Sequence, residues 1–385
     1  MQIEKVNIVC AFYIPHVGGV EKFVNYQSRE LAKLGFKINI ITSNSEKIKF
    51  FEDNGDIKIY RISSFLPSKK AAIPIPYNIF QIFKVFIKCF LGKKSLTIIH
   101  TRYYPICLIG IFLGGITRSK IIVIDHSSGY IGFDSPLLSK VSQIYENIIT
   151  FIFKLFRPSF YGVSKACNEW IKKYGIIAKG VYYNGIDYNY QIKEAIDVKK
   201  KFNIENYIFY GGRLIKEKGI MELIKAFDDF SKKHSNFHLI IAGSGTLENR
   251  INDIAEDNKK IIYTGRLNPD EMFNYMRDCW VLVNPSNYPE GLPTILLEAG
   301  KSGAAVISTP NGGAKEVIID NNTGILIEAG KADLIENAFE KLLKDEKLRK
   351  KIKKNLQELV KNHFDWSIIT KDFIYNTLKL NHEKN

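Results

Sequence analysis

The sequence predicts an α/β protein built from two Rossmann-like domains facing across a cleft, on three observations. Apolar runs of strand length alternate with amphipathic stretches of helix length along the whole chain. The alternation occurs twice, on either side of a polar segment from about Tyr188 to Asn206. The 385 residues, 45% of them apolar, supply two cores of ordinary size.

In the first half the strand-like runs are residues 6–12, 37–42, 57–62, 97–100, 120–124 and 159–163. In the second half they are 207–210, 238–242, 261–263, 280–283, 305–308 and 324–327. Helical stretches at 20–34, 220–233 and 333–343 lie between them, and 366–380 is again helical in pattern. Such an order argues for parallel sheets covered by helices on both faces. The expected domains are residues 1–190 and 191–365, with a closing helix in 366–385.

Two stretches of the first half are unusual. Across 77–91 the polar residues Asn78, Gln81, Lys84 and Lys88 recur every three or four positions, and nearly all else is Ile, Phe, Val or Leu. Gln143, Asn147, Thr150, Lys154 and Arg157 make a similar stripe further on. A broad apolar face with a narrow basic stripe fits a helix lying in a membrane interface. It fits equally a buried helix with one wet edge, and that reading is the default because α/β domains need such helices.

Charge is unevenly distributed. Residues 1–190 hold 25 Lys and Arg against 12 Asp and Glu, a net of +13, and the remainder carries +2. A basic first half suits an anionic membrane or a phosphate-bearing acceptor, and predicts salt-sensitive binding to anionic lipid through Lys84 and Lys88. No nucleic-acid motif accompanies it, and lysine-rich compositional bias is the competing explanation. The five cysteines have no paired spacing, which points to a reduced, cytoplasmic protein without a disulfide framework or zinc site. No signal peptide is expected, and the uncharged stretch 103–117 is too short and glycine-rich for a membrane span.

The chemistry concentrates in two segments of the second half. The run Pro289-Glu290-Gly291-Leu292-Pro293-Thr294-Ile295-Leu296-Leu297-Glu298-Ala299 follows a buried strand. Two glutamates bracket a helix start, Gly291 admits close approach of a ligand, and Pro293 suits the first turn. The free amides of that turn, with the helix dipole, make an anion site, and Gly291, Leu292, Pro293 and Thr294 are expected to line it. Earlier, Tyr207-Ile208-Phe209-Tyr210 runs into Gly211-Gly212-Arg213-Leu214-Ile215-Lys216-Glu217-Lys218-Gly219. Arg213 and Lys218 are fixed positive charges at a strand end, where open α/β sheets bind ligands. Anion site, cations and carboxylates together suit a ligand bearing phosphates and hydroxyls, such as a nucleotide sugar.

Gly212-Arg213-Leu214…Glu217-Lys218-Gly219 and the later Glu290…Glu298 resemble the segments of glycosyltransferase family 4, which has the GT-B fold. The resemblance extends to Gly18-Gly19-Val20-Glu21, Asn184-Gly185-Ile186-Asp187, Gly243-Ser244-Gly245, Pro310-Asn311-Gly312-Gly313…Glu316 and a terminal Phe364-Asp365-Trp366. It implies that Glu290 contacts the donor sugar hydroxyls and Glu298 the ribose hydroxyls. It implies that Gly18 and Gly19 form a loop near the donor phosphates and the acceptor, and that His126 lies near the reacting sugar. It also implies a retaining transfer, and a final helix that packs back on the first domain.

Each residue also has a structural reading. Glutamates at a helix start are favoured for dipole reasons alone. Gly18 and Gly19 could make a plain turn. A lone histidine such as His126 is more often structural, and its place after a strand's carboxyl end leaves the structural and functional readings evenly balanced. His16 is a weaker acceptor contact, and Ser164 could simply cap a helix. No Asp-x-Asp pair occurs, so no metal is expected, and Arg213, Lys218 and helix amides would take the metal's electrostatic role.

The expected function is transfer of a sugar from a nucleoside diphosphate sugar, UDP favoured, to a glycan or lipid-linked acceptor in surface polysaccharide or lipopolysaccharide assembly. No cofactor is expected beyond that donor, and the setting is cytoplasmic, peripheral on the inner face of the plasma membrane. A soluble glucan or sugar-phosphate synthase, a sugar-nucleotide epimerase and a non-catalytic membrane-binding scaffold are the alternatives. A nicotinamide dehydrogenase would need a glycine fingerprint that is missing.

Overall fold

A computed structural model describes residues 3–16, 18–46, 48–67, 73–92, 95–130 and 136–378. The chain divides into two compact units, residues 1–184 with 366–385, and residues 185–365. Residues 379–385 of the expected closing helix lie outside the described residues.

The first unit runs β1 (Lys5–Cys10), α1 (Gly19–Lys33), β2 (Lys37–Asn44), β3 (Phe51–Asn54), β4 (Ile57–Phe65), β5 (Ile75–Pro76) and α2 (Ile79–Val85). A π-helical turn, Phe86–Phe90, extends α2. Then follow β6 (Ser95–His100), α3 (Pro105–Ile116), β7 (Lys120–Asp125), α4 (Pro136–Leu155), β8 (Ser159–Gly162), α5 (Lys165–Lys172) and β9 (Gly180–Val181). The strand order is β3-β4-β2-β1-β6-β7-β8-β9, parallel except for the β3 and β5 edges. Every residue of β6 is buried, as expected for a parallel strand covered on both faces.

The second unit runs α6 (Val198–Phe202), β10 (Asn206–Gly211), α7 (Ile220–Lys233), β11 (Phe237–Ala242), α8 (Glu248–Asp257), β12 (Ile261–Tyr263) and α9 (Pro269–Asp278). It continues with β13 (Val281–Asn284), α10 (Thr294–Ser302), β14 (Val306–Ser308), β15 (Ile325–Leu326), α11 (Ala332–Lys344) and α12 (Glu346–His363). Its sheet, order β12-β11-β10-β13-β14-β15, is parallel throughout. The segment expected to connect the domains is bound into this unit. Lys301 Nζ donates to the carbonyls of Asp187 and Tyr190 at 2.6 and 2.7 Å, and the Tyr190 hydroxyl donates to Asp270 Oδ1 at 2.5 Å.

The last helix, α13 (Trp366–Leu378), belongs to the first unit. Trp366 meets Phe23 edge-on at 4.7 Å and stacks on Tyr26 at 5.7 Å, and Phe373 stacks on Tyr182 at 3.9 Å.

The structure overturns the expectation that the two unusual helices are buried with one wet edge. On α4 the buried side chains include Ser142, Glu146 and Thr150. Arg102, itself buried and paired with Asp125, donates to Glu146 Oε1 at 2.7 Å and Thr150 Oγ1 at 2.8 Å, and Ser142 Oγ bonds the Tyr103 hydroxyl at 2.9 Å. Those interior partners draw Ser142, Glu146 and Thr150 inward beside Ile149 and Phe153, while Asn147 and Lys154 of the expected polar stripe stay exposed and the opposite face exposes Leu137, Val141, Ile144, Ile148, Phe151 and Leu155. On α2 it is the large apolar residues Ile79, Phe80 and Phe83 that are exposed.

Trp366→Ala should lower the stability of the first unit by about 3–5 kcal/mol, the usual cost of emptying a buried aromatic site. In a urea melt, the first unit's transition should move and the second unit's should stay.

Candidate functional site

In the second unit β10 leads through α7 to β11, on one side, and β13 lies on its other side. The chain thus reverses its direction of spread between β10 and β13, and open sheets bind ligands at the carboxyl ends of such a strand pair. The two chemistry-bearing segments leave the sheet there.

After β10 the backbone is pinned to its neighbours. Gly212 N donates to Ala242 O at 3.0 Å, Leu214 N to Ser244 O at 2.9 Å, and the Tyr210 hydroxyl to Arg213 O at 2.9 Å. The Arg213 side chain is exposed. Lys216–Lys218 forms a 3-10 turn, which ends on Gly219 at φ +68°. A β-carbon on Gly219 would lie 2.1 Å from Pro285 O, so only glycine lets this turn press against the exit of β13. Asn287 N donates to Glu217 O at 2.8 Å and closes the contact.

That packing delivers Lys218 to Glu290. Lys218 Nζ donates to Glu290 Oε1 at 2.8 Å, with the lysine side chain 12% exposed. An ammonium has three donors, so one bond to Glu290 leaves two for a ligand. Tyr210 reports how these groups converge. Burial raises its pKa, the Glu290 charge raises it further, and the Arg213 charge lowers it.

The Glu290 backbone is fixed from β14. Gly313 N donates to Glu290 O at 3.2 Å and Gly291 O at 3.0 Å, while Thr309 Oγ1 and Asn311 Nδ2 each donate to Ser286 O at 2.5 Å. Gly312 has φ +58°, and a β-carbon there would sit 1.7 Å from Glu290 O. Leu292 is buried under this loop. Pro293, expected within the first turn of the helix, is instead its N-cap, at φ −66° and ψ 109°. That extended ψ holds Pro293 outside the helix and makes Thr294 its first residue, so the first-turn amides face out of the N-terminus. Thr294 and Glu298 stand four apart on one face of α10.

In the first unit the equivalent reversal lies between β1 and β6. Gly18 is the N-cap of α1, and Gly19 begins the helix. Glu21, buried, bonds His16 Nδ1 at 2.9 Å, and His16 stacks on Phe12 at 4.4 Å. His126 follows β7 and joins a chain of neutral groups. His126 Nε2 lies 2.9 Å from His100 Nδ1, and His100 Nε2 lies 2.8 Å from Gln27 Oε1. Phe23 packs against both imidazoles. Desolvation pushes His126 down to about 3 and His100 well below its ordinary value, the latter helped by the neighbouring His126. His126 is therefore held as a neutral imidazole at the end of a hydrogen-bonded chain through His100 to Gln27.

Of the residues singled out from sequence, Arg213, Lys218, Glu290, Gly291, Leu292, Pro293, Thr294 and Glu298 share the carboxyl edge of the second unit's sheet. Gly18, Gly19 and His126 share that of the first. Ser164 caps α5 by accepting from Cys167 N at 3.1 Å, the structural reading. His100 and Gln27 were missed, although His100 ends a strand just as His126 follows one.

Two family profiles match the chain. The one described as Glycosyltransferase Family 4 covers residues 17–190, and the one described as Glycosyl transferases group 1 covers residues 191–359. An uncharacterized glycosyltransferase of Methanocaldococcus jannaschii is 27% identical over 96% of this chain and 97% of its own length. A capsular polysaccharide biosynthesis glycosyltransferase of Staphylococcus aureus is 24% identical over 90% of this chain and 91% of its own. Among solved structures, Anabaena HepE in complex with UDP superposes with a TM-score of 0.74 at 16% identity, over 98% of this chain and 100% of its own. That likeness concerns the fold alone.

Gly312→Ala should displace the Glu290 loop, because the β-carbon cannot coexist with the Glu290 carbonyl. Lost order should appear as faster amide exchange at Glu290 and Gly291, with exchange in β10 unchanged. The histidines give a pH signature. A buried imidazole kept neutral favours the folded state above its ordinary 6.5, and that stability drains as pH falls from 6.5 toward 3. Each histidine contributes a slope of up to about 1.4 kcal/mol per pH unit in that window. Urea melts from neutral to mildly acid pH should show a shallower decline for His126→Gln than for the unsubstituted protein.

Proposed function

The chain belongs to glycosyltransferase family 4 and is a transferase of the GT-B fold, and from that premise we propose the reaction that its site performs. A nucleoside diphosphate sugar, UDP favoured, gives its sugar to a glycan or lipid-linked acceptor in surface polysaccharide or lipopolysaccharide assembly. The observation that carries the reading is the meeting of Arg213, the Lys218–Glu290 pair and the α10 N-terminus at the β10/β13 exit. The capsular role named for the Staphylococcus aureus relative supports the pathway, and the UDP held by the HepE structure supports the donor.

The donor's diphosphate takes the two free Lys218 donors, the Arg213 guanidinium and the first-turn amides of α10. As the anomeric C–O bond breaks, its electron pair leaves with the diphosphate. Arg213 and Lys218 neutralise the charge that develops there. Glu290, held by Lys218, accepts from the sugar hydroxyls and orients the ring, and Glu298 accepts from the ribose. Gly18 and Gly19 serve the phosphates and the acceptor, and His126 meets the reacting sugar as a neutral imidazole. The acceptor hydroxyl attacks the face that the diphosphate leaves and gives its proton to the departing phosphate oxygen, so configuration is retained. The protein acts on the cytoplasmic side, at the inner face of the plasma membrane. No helix among the described residues is long and apolar enough to cross a membrane.

Arg213→Ala should lower transfer about 10²–10³-fold, the range for lost charge stabilisation in a transition state. Its melting temperature should be unchanged, because the side chain is exposed. Near-normal transfer by this variant would displace the donor site. The two glutamates should separate in calorimetry with bare UDP. Glu298→Ala should weaken UDP binding about tenfold or more, the worth of a hydrogen bond to a charged group. Glu290→Gln should keep UDP affinity and lose turnover. Equal loss of UDP affinity in both would remove the division of labour.

A further inference from the structure

The first unit carries an outward apolar face that its own fold leaves uncovered. On α4 the residues Leu137, Val141, Ile144, Ile148, Phe151 and Leu155 recur every three or four positions and are all more than half exposed. On α2 Ile79 is 77% exposed, Phe80 83% and Phe83 60%. Between them α3 exposes Phe112 and Ile116. The three helices are neighbours. Val85 of α2, Ile106 of α3 and Phe153 of α4 enter one core cluster on one side of the sheet, and Phe112 meets Phe156, just past α4, at 5.1 Å. Soluble monomers rarely expose contiguous apolar area on this scale unless it meets a partner.

The charge on the face identifies the partner. Lys84, Lys88, Arg118 and Lys140 are exposed on or beside these helices. The one acidic residue in α2, the π turn, α3 and α4 is Glu146, and it is buried against Arg102. An apolar field on helices that, among the described residues, carry exposed cations and no exposed acid complements acyl chains beneath anionic headgroups. A protein partner of ordinary composition would call for acids and polar groups around the rim. With 20 residues, α4 would extend about 30 Å along such a surface.

We propose that the outer faces of α2, α3 and α4 seat the first unit on a lipid bilayer. Their apolar side chains enter the acyl boundary, and the lysines stand at the level of the anionic headgroups. This takes up the interfacial-helix reading of the sequence and differs from the salt-sensitive binding through Lys84 and Lys88 expected there. With apolar insertion, salt removes only the headgroup contribution. The inference goes beyond the donor chemistry and does not rest on it.

Co-sedimentation with phosphatidylcholine vesicles, with and without phosphatidylglycerol, at low and high salt tests it. The unsubstituted protein should bind the anionic vesicles and keep most of that binding at high salt. Phe80→Ser with Phe83→Ser, and separately Ile148→Ser with Phe151→Ser, should each cut binding at least about tenfold, since a large apolar side chain leaving water is worth that much or more. Both variants should keep the melting temperature and the UDP-induced shift, which separates failure of this inference from failure of the donor reading. Lys84→Glu with Lys88→Glu should abolish the preference for phosphatidylglycerol and leave residual binding. Three results would overturn the proposal. One is no binding to either vesicle. Another is complete release by salt together with unimpaired serine variants. The third is a dimer in sedimentation velocity that the serine variants dissociate, which would make the face a contact between copies of this chain.

Discussion

The site of the second unit depends on backbone pressed against backbone where β10, β13 and β14 end. Gly219 lies where a β-carbon would meet Pro285 O at 2.1 Å, and Gly312 where it would meet Glu290 O at 1.7 Å. Both have positive φ, so conformation and clearance select the same residue twice. These contacts set the separation of the Lys218 turn from the Glu290 loop, and the 2.8 Å ion pair follows from them. Side chains alone could not hold that geometry, because both belong to loops and loops gain precision only from what they rest on. The ion pair in turn fixes the carboxylate against the cation proposed to meet the donor's diphosphate.

The first unit is organised around a different constraint, the buried Arg102. It pairs with Asp125 and Glu146, and the Tyr174 hydroxyl donates to the same Glu146 at 2.6 Å. Taking these charges out of water is tolerable only because each has its partner. The cluster fixes the rotation of α4 about its own axis. With Ser142, Glu146 and Thr150 claimed by the interior, the opposite, apolar face of α4 turns out, and its exposed surface is the consequence. The same unit keeps two imidazoles neutral beside Phe23, so its donors and acceptors serve as fixed dipoles.

Much of this was legible in the sequence because the signals are local. Parallel strands buried on both faces read as apolar runs, and runs such as 207–210 and 238–242 fall inside β10 and β11. The edge strand β3, Phe-Glu-Asp-Asn, was not legible, because it is exposed and carries no apolar alternation. Arg213, Lys218, Glu290 and Glu298 stood out through spacing and chain order. His100 and Gln27 did not, since their meaning lies in contacts 26 and 73 residues away in sequence. The orientation of α4 was unreadable for the same reason. Its periodicity shows two faces, and only the distant Arg102 decides which one is interior.

The central claim is that the carboxyl edge of the second unit holds a nucleoside diphosphate as the carrier of the transferred sugar. The most direct measurement is the melting temperature of the whole chain across a panel of nucleotides, because a ligand that binds the folded state alone raises it. The account predicts that UDP and UDP-sugars raise the second unit's transition, that uridine alone does not, and that Arg213→Ala with Lys218→Ala abolishes the effect. If no nucleoside diphosphate moves that transition, or if the double variant responds as fully as the unsubstituted protein, the account is contradicted.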